Sequence, residues 1–327
     1  MRPVILVLTV LLLLPGTSFA QVQRDPPPPP ATGETIRPRL ADSATGYIDN
    51  AIIGSEIRFR FDSSFGVNSP DRAEYFYGKC GCFRFLPPSD PAFDPNAPGP
   101  GGPGQIETKL DFQELRLDLE YVVHNRLSVL AEVPGRLIEP KTVPRAVGIA
   151  DIRVGVKGGL IANDDTALTA QFRTYIPSGD ARRGLGTNHT SLEPSLLFHH
   201  KLGEGVAIAG QAGIWIPIKG SAGVPTVSNE KFAGNILNYG FGLSFGLVDQ
   251  PRVRISPVVE AVAWHVLGGF QTGTGVSSAK GVNILNVKIG TRIDPGGPGS
   301  LYIGFGRAVT DAVWYEDIVR MEYRLAF

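Results

Sequence analysis

Three stretches of the chain alternate apolar and charged residues with a period of two. In "EIRFRF", Ile57, Phe59 and Phe61 alternate with Glu56, Arg58 and Arg60. "FQELRLDLEY" sets Leu115, Leu117, Leu119 and Tyr121 against Glu114, Arg116, Asp118 and Glu120. The last residues repeat the device, with Val319, Met321, Tyr323, Leu325 and Phe327 opposite Ile318, Arg320, Glu322 and Arg324. Successive side chains of a strand point to opposite faces, so each run predicts a strand with one apolar and one charged face. Weaker segments of the same kind cover 127–134, 148–161, 167–177, 191–202, 206–216, 235–247, 253–266, 282–293 and 300–310. Together they predict about 12 strands of the roughly ten-residue length that crosses a bilayer at a tilt.

The connections alternate as well. "VHN", "ANDD", "GEG", "VDQP" and "DPGGPG" are short, whereas "GRLIEPKTVPRAV" and "SGDARRGLGTNHT" are among the long ones between them. Only the connection near Asp311 is short where a long one is due. Short turns at one end and long loops at the other are how outer-membrane barrels are built, with the turns in the periplasm. The expected fold is therefore all-β, a transmembrane antiparallel up-and-down β-barrel over residues 51–327.

A charged side chain aimed into hydrocarbon costs about 2–4 kcal/mol at the midplane, so the charged faces must line the interior. The candidate lumen and permeation residues are Arg58, Arg60, Glu114, Arg116, Asp151, Lys157, Arg173, Glu193, Arg254, Glu260, Lys288, Arg292, Arg320, Glu322 and Arg324. Mixed signs in a narrow lumen can pair across strands, and the same groups can line a small polar pore. Aromatic residues fall near strand ends: Tyr121 and Phe327 toward the periplasm, Trp215, Trp264, Trp314 and Tyr315 toward the outside. Rings favour the headgroup level, so these positions predict two girdles. Gly240, Gly242, Gly290, Gly304 and Gly306 interrupt strands, where glycine is expected to relieve crowding at bends of a curved sheet.

Residues 1–20 have the basic start, apolar run and small-residue site of a secretory signal peptide. Residues 21–50 carry the run "DPPPPP", which favours polyproline II and predicts a periplasmic arm, too short and too proline-rich for a folded plug. The 31 basic and 31 acidic residues cancel, leaving no electrostatic case for nucleic acid. His199 and His200 are adjacent in a strand and point to opposite faces, so they cannot chelate one ion. Cys80 and Cys82 have no second pair to complete a tetrahedral site and read as an oxidised or free pair in the first outer loop. "GFGLSFG" and "GLGTNHTS" lack the spacing and context of a phosphate loop. No nucleophile, base and orienting group can be assembled, so no catalytic residue, metal or cofactor is expected, and no enzyme.

"GIADIRVGVKGGLI", "TYIPSGDARRGLGTNHTSLEPSLLFHHKL" and the terminal "YRLAF" resemble the outer-membrane proteins of the MetA-pathway of phenol degradation family. The resemblance spans roughly residues 106 to 327 and is most specific around Asp151, Lys157 and Pro177 to Asp180. It implies an outer-membrane barrel that passes small, often aromatic or hydrophobic, compounds and carries no catalytic residues. The expectation is a passive channel or facilitator in the bacterial outer membrane. Its partners would be outer-membrane lipid, a small-molecule solute, and the barrel-assembly machinery through the strand ending at Phe327. A closed barrel whose outer loops bind is the alternative.

Overall fold

A computed structural model describes residues 40–68, 82–90, 93, 95, 99–100, 102, 107–203, 205–218, 233–250, 252–272 and 276–327. The expected signal peptide, the proline run and Cys80 lie outside these residues. Cys82 opens a short 3-10 turn, Cys82–Phe85.

Twelve long antiparallel strands close on themselves. In chain order they are β1 Glu56–Val67, β2 Leu110–His124, β3 Leu127–Pro140, β4 Ile152–Ala162, β5 Thr166–Ile176 and β6 Thr190–Gly203. They continue as β7 Val206–Ile218, β8 Ile236–Phe245, β9 Val253–Val266, β10 Asn283–Asp294, β11 Gly299–Ala308 and β12 Asp317–Ala326. Each pairs with its neighbours in sequence, and β1 pairs with β12 from Glu56↔Ala326 to Phe65↔Asp317, so no edge is left open. Four shorter strands decorate the ends. Ala146–Ile149 extends alongside β3, Val248–Gln250 lies against β9, and Phe270–Thr272 forms a hairpin with Val276–Ser278.

Alternation sets the two faces. Phe59, Leu115, Leu117, Leu119, Phe172, Phe241, Ile289 and Phe305 are exposed on the outer wall, while the charged residues between them are buried. An apolar exterior around a charged interior is stable only when hydrocarbon covers the outside. The alternating runs thus occupy the faces expected of them. The "GRLIEP" stretch differs: it continues β3 as far as Pro140, because Arg136 stands opposite Glu114 in the register with β2.

The strand ends divide into a short-turn rim, where residues 125–126, 163–165 and 295–298 link neighbours, and a long-loop rim. At the short-turn rim the Phe327 N–H donates to Ser55 O at 3.1 Å, fastening the end of the chain to the start of β1.

Candidate functional site

The inner wall is a continuous ion-pair lattice. Glu322 on β12 accepts from Arg60 at 2.7 Å and Arg292 at 2.8 Å, and Arg324 lies 3.7 Å away. Glu56 sits 3.2 Å from both Arg58 and Arg324. Asp118 holds Arg116 at 2.7 Å, and Glu132 gathers Arg153 and Arg173 at 3.1 Å each. Asp62 accepts a bidentate pair of bonds from Arg320, both at 2.6 Å. Glu114 pairs with Arg136, Glu120 with Lys157 at 2.7 Å, and Glu193 with Arg173 at 3.4 Å. Such pairs are tolerable away from bulk water because each of these charges faces at least one of opposite sign within 4.0 Å.

Among the candidates, Arg58, Arg60, Glu114, Arg116, Lys157, Arg173, Glu193, Glu260, Lys288, Arg292, Arg320, Glu322 and Arg324 are all buried on this inner face. Arg254 shares the face but lies near the short-turn rim, its side chain 28 % exposed beside Asp42. Asp151 is elsewhere. It is buried at the head of β4 against the connection 177–189, accepting from the Gly179 N–H at 3.0 Å, the Thr187 N–H at 2.8 Å and the Thr187 hydroxyl at 2.7 Å. Its role is therefore to tie the "PSGD" loop to the start of β4, not to line the lumen. Burial raises the pKa of its carboxyl group, against the pull of the bonds from Thr187 and Gly179. Sequence reasoning missed Asp62 and Arg136 altogether.

The largest departure from expectation concerns residues 40–55. Residues 40–50 were expected to belong to an arm outside the barrel that forms no plug; instead this segment is threaded into the lumen. It enters at the short-turn rim, where Arg324 donates to Leu40 O and Ser43 O and Arg254 donates to Ala41 O. It rises past Thr45 O, which accepts from Arg292 at 2.8 Å, and Gly46 O, which accepts from Arg320 at 2.6 Å. At the apex the N–H groups of Gly46, Tyr47 and Ile48 converge on the Glu260 carboxylate at 2.9–3.3 Å. Asp49 pairs with Arg173, and its N–H donates to Gln211 Oε1 at 2.9 Å. The descending limb is held by Lys157 on Asn50 O at 2.9 Å and by the Thr169 hydroxyl on Ala51 O.

The physical reason is that a plug needs no secondary structure of its own. Buried backbone groups must be hydrogen-bonded, and here the charged wall supplies the partners. Space is supplied by glycine. A Cβ on Gly240 or Gly242 would stand 3.2 or 3.3 Å from the Ile48 side chain, and a Cβ on Gly46, Gly290 or Gly304 would strike the fully buried Tyr302 ring. The strand glycines thus form a seat for the inserted segment and, with Gly46, for Tyr302.

The outer half is closed by rings, which corrects the girdle expectation at four positions. Trp215, Trp314 and Tyr315 are buried, and Trp264 packs beside them in two adjoining apolar clusters. Trp264 follows Glu260 by four residues, and Trp215 follows Gln211 by four. Strand alternation therefore turns both rings inward. Trp314 and Tyr315 fold in from the last connection, packing on Val67, Leu110 and Ile284. Tyr121 and Phe327 are exposed, 52 % and 63 %, toward the short-turn rim. Between the Tyr47 apex and this aromatic layer lies a cavity of about 170 Å³.

No family model matches the chain, and no curated protein matches it. Solved structures do. An outer-membrane channel from Pseudomonas putida F1 is 13% identical, with a TM-score of 0.50 over 86% of this chain and 99% of that one. The NanC porin is 8% identical, with a TM-score of 0.45 over 84% of this chain and 100% of its own. The KdgM porin in complex with disordered oligogalacturonate is 9% identical, with a TM-score of 0.43 over 83% and 99%. The likeness to the first, joined to the apolar outer wall, shows the fold of an outer-membrane β-barrel.

Proposed function

We propose that the protein is an outer-membrane channel for uptake of a small molecule, closed in this structure by its own segment 40–55. The observation that carries the reading is the way this segment is held. Its backbone is held by hydrogen bonds and its Asp49 by an ion pair, to a wall that is cross-linked by its own ion pairs, so the segment can leave a barrel that remains intact. Apolar burial adds to this hold, with Ile48 seated against Gly240 and Gly242 and Ile52 clustered with Ala51, Ala167 and Leu197, while most of the ascending limb "LADSATGY" is small or polar.

The resemblance of "GIADIRVGVKGGLI" and the "PSGD" loop to the phenol-degradation family supports a small aromatic or hydrophobic solute. The aromatic layer around the cavity agrees with such a cargo. Phe327, exposed at the end of the closing strand, fits an address for the barrel-assembly machinery, and the apolar wall a lipid partner. The permeation roles of the inner-wall residues belong to the same proposal.

The test is conductance of the purified, folded chain in planar bilayers, compared with a chain lacking residues 40–54. The deletion is expected to give a larger and more frequent open level. Folded barrels of both kinds that pass neither ions nor solute would end the channel reading. That outcome would leave the closed, loop-binding barrel, which the density of the lattice around Glu322 favours.

A further inference from the structure

One cation of the inner wall differs from all the others. Among the described residues, every other buried arginine or lysine on the strands lies within 4.0 Å of a carboxylate. Lys288 does not. It is 3 % exposed, and its Nζ donates to the Tyr315 hydroxyl at 2.8 Å. Aromatic faces surround it: the ring centroids of Tyr47, Tyr315 and Trp264 lie 4.0, 5.4 and 5.6 Å from Nζ. Cation–π contacts offset part of the desolvation of an ammonium but supply no counter-charge.

Lys288 lines the 170 Å³ cavity, and so do four carboxylates, Asp49, Asp62, Glu114 and Glu193. Each of these is already taken by an arginine. Glu260 stands opposite Lys288 in the strand register, but its oxygens are turned to the N–H groups of residues 46–48 and lie beyond 4.0 Å of the ammonium, and the lining as a whole carries seven basic and four acidic side chains. The size of the cavity matches a single ring, since a cavity of about 150 Å³ is enough to bind benzene. Beside the paired arginines and carboxylates, its wall offers the Lys288 ammonium and flat faces of Tyr47, Trp264 and Trp314.

We propose that this cavity is a binding site for a small planar organic anion, an aromatic carboxylate being the chemical class. The carboxylate sits against Lys288 and the ring lies among the aromatic side chains. This inference deepens the channel reading and rests on it, because it assigns the solute a site above the inserted segment.

Benzoate and its neutral counterpart benzyl alcohol are the probes, titrated into the full chain folded in detergent. Intrinsic fluorescence is a suitable reporter, because all 3 tryptophans of the chain, Trp215, Trp264 and Trp314, lie around the outer half of the lumen. Benzoate is expected to bind saturably. Lys288→Met should weaken benzoate by at least about tenfold, the loss of one charge-assisted hydrogen bond, and leave benzyl alcohol unchanged. If the variant fails to fold, the wild-type preference for benzoate over benzyl alcohol decides. Equal binding of the two probes, no saturable benzoate binding, or benzoate binding indifferent to Lys288→Met would each overturn the site. Flux of a neutral solute through the protein in liposomes separates the two ideas. Flux without Lys288-dependent binding keeps the channel and removes the site, whereas binding without any flux keeps the site and removes the channel.

Discussion

Glu260 is the point at which the inserted segment is most exposed to perturbation. Its carboxylate is the shared acceptor for three consecutive backbone N–H groups, those of Gly46, Tyr47 and Ile48, and for the Tyr302 hydroxyl at 3.3 Å. Glu260→Ala removes the acceptor and strands these donors in a space that solvent reaches poorly. Hydrogen bonds to a charged group contribute about 1.5–3 kcal/mol each, but the long, shared geometry here places each near the lower figure or beneath it. About 3 kcal/mol for the set is a fair sum, after allowing for the relief of no longer burying the carboxylate. At 1.4 kcal/mol per decade that raises the undocked population roughly 100-fold.

Two measurements would register the change. In a background with Cys80 and Cys82 replaced by serine, a cysteine at Ala51, buried at 2 % exposure, reports undocking through its labelling rate with a membrane-impermeant thiol reagent. That rate should rise about as much as the undocked population, and the open probability in bilayers should rise with it. Val259→Ala, on the lipid face of the same strand, is the control expected to change neither. A folded Glu260→Ala barrel with unaltered labelling and conductance would refute the idea that the backbone–carboxylate contact holds the segment in place.

Other outcomes follow from the same structure. Arg320→Met leaves Asp62 buried without its bidentate partner and should destabilise the barrel by about 3–5 kcal/mol, read as a lower temperature for loss of the compact, heat-modifiable band in detergent. Gly304→Ala drives a methyl group into the Tyr302 ring and should cost about 1–3 kcal/mol; Tyr302→Leu in the same chain should recover most of it, measured as a double-mutant cycle. Asp151→Ala should leave conductance unchanged and speed proteolytic cleavage within residues 177–189, since it removes the acceptor for Gly179 and Thr187.

The barrel was legible in the sequence because its two requirements, period-two alternation and alternating connection lengths, are local properties. Arg136 was not, because Gly135 and Pro140 read as loop residues until β2 offers Glu114 as the partner across the register. The inward turn of Trp264 was available from parity with Glu260, but proximity to a strand end suggested a girdle instead. The inserted segment had the weakest signal. "LADSATGYIDNAI" shows no periodicity, and its hydrogen-bond partners, such as Arg320 and Glu260, stand more than 200 residues away. Only the stripe of strand glycines hinted that something must approach the wall closely, and it was explained by curvature.

The inserted segment also sets the charge of the lumen. Residues 40–55 contain two charged side chains, Asp42 and Asp49, and no lysine or arginine. Both neutralise wall cations, Asp42 against Lys201 at 2.8 Å and Asp49 against Arg173. Withdrawal of the segment would therefore leave the lumen two positive charges richer. Opening and permselectivity become one event: the unblocked barrel should favour chloride over potassium, and its reversal potential in a salt gradient should report how often the segment is out.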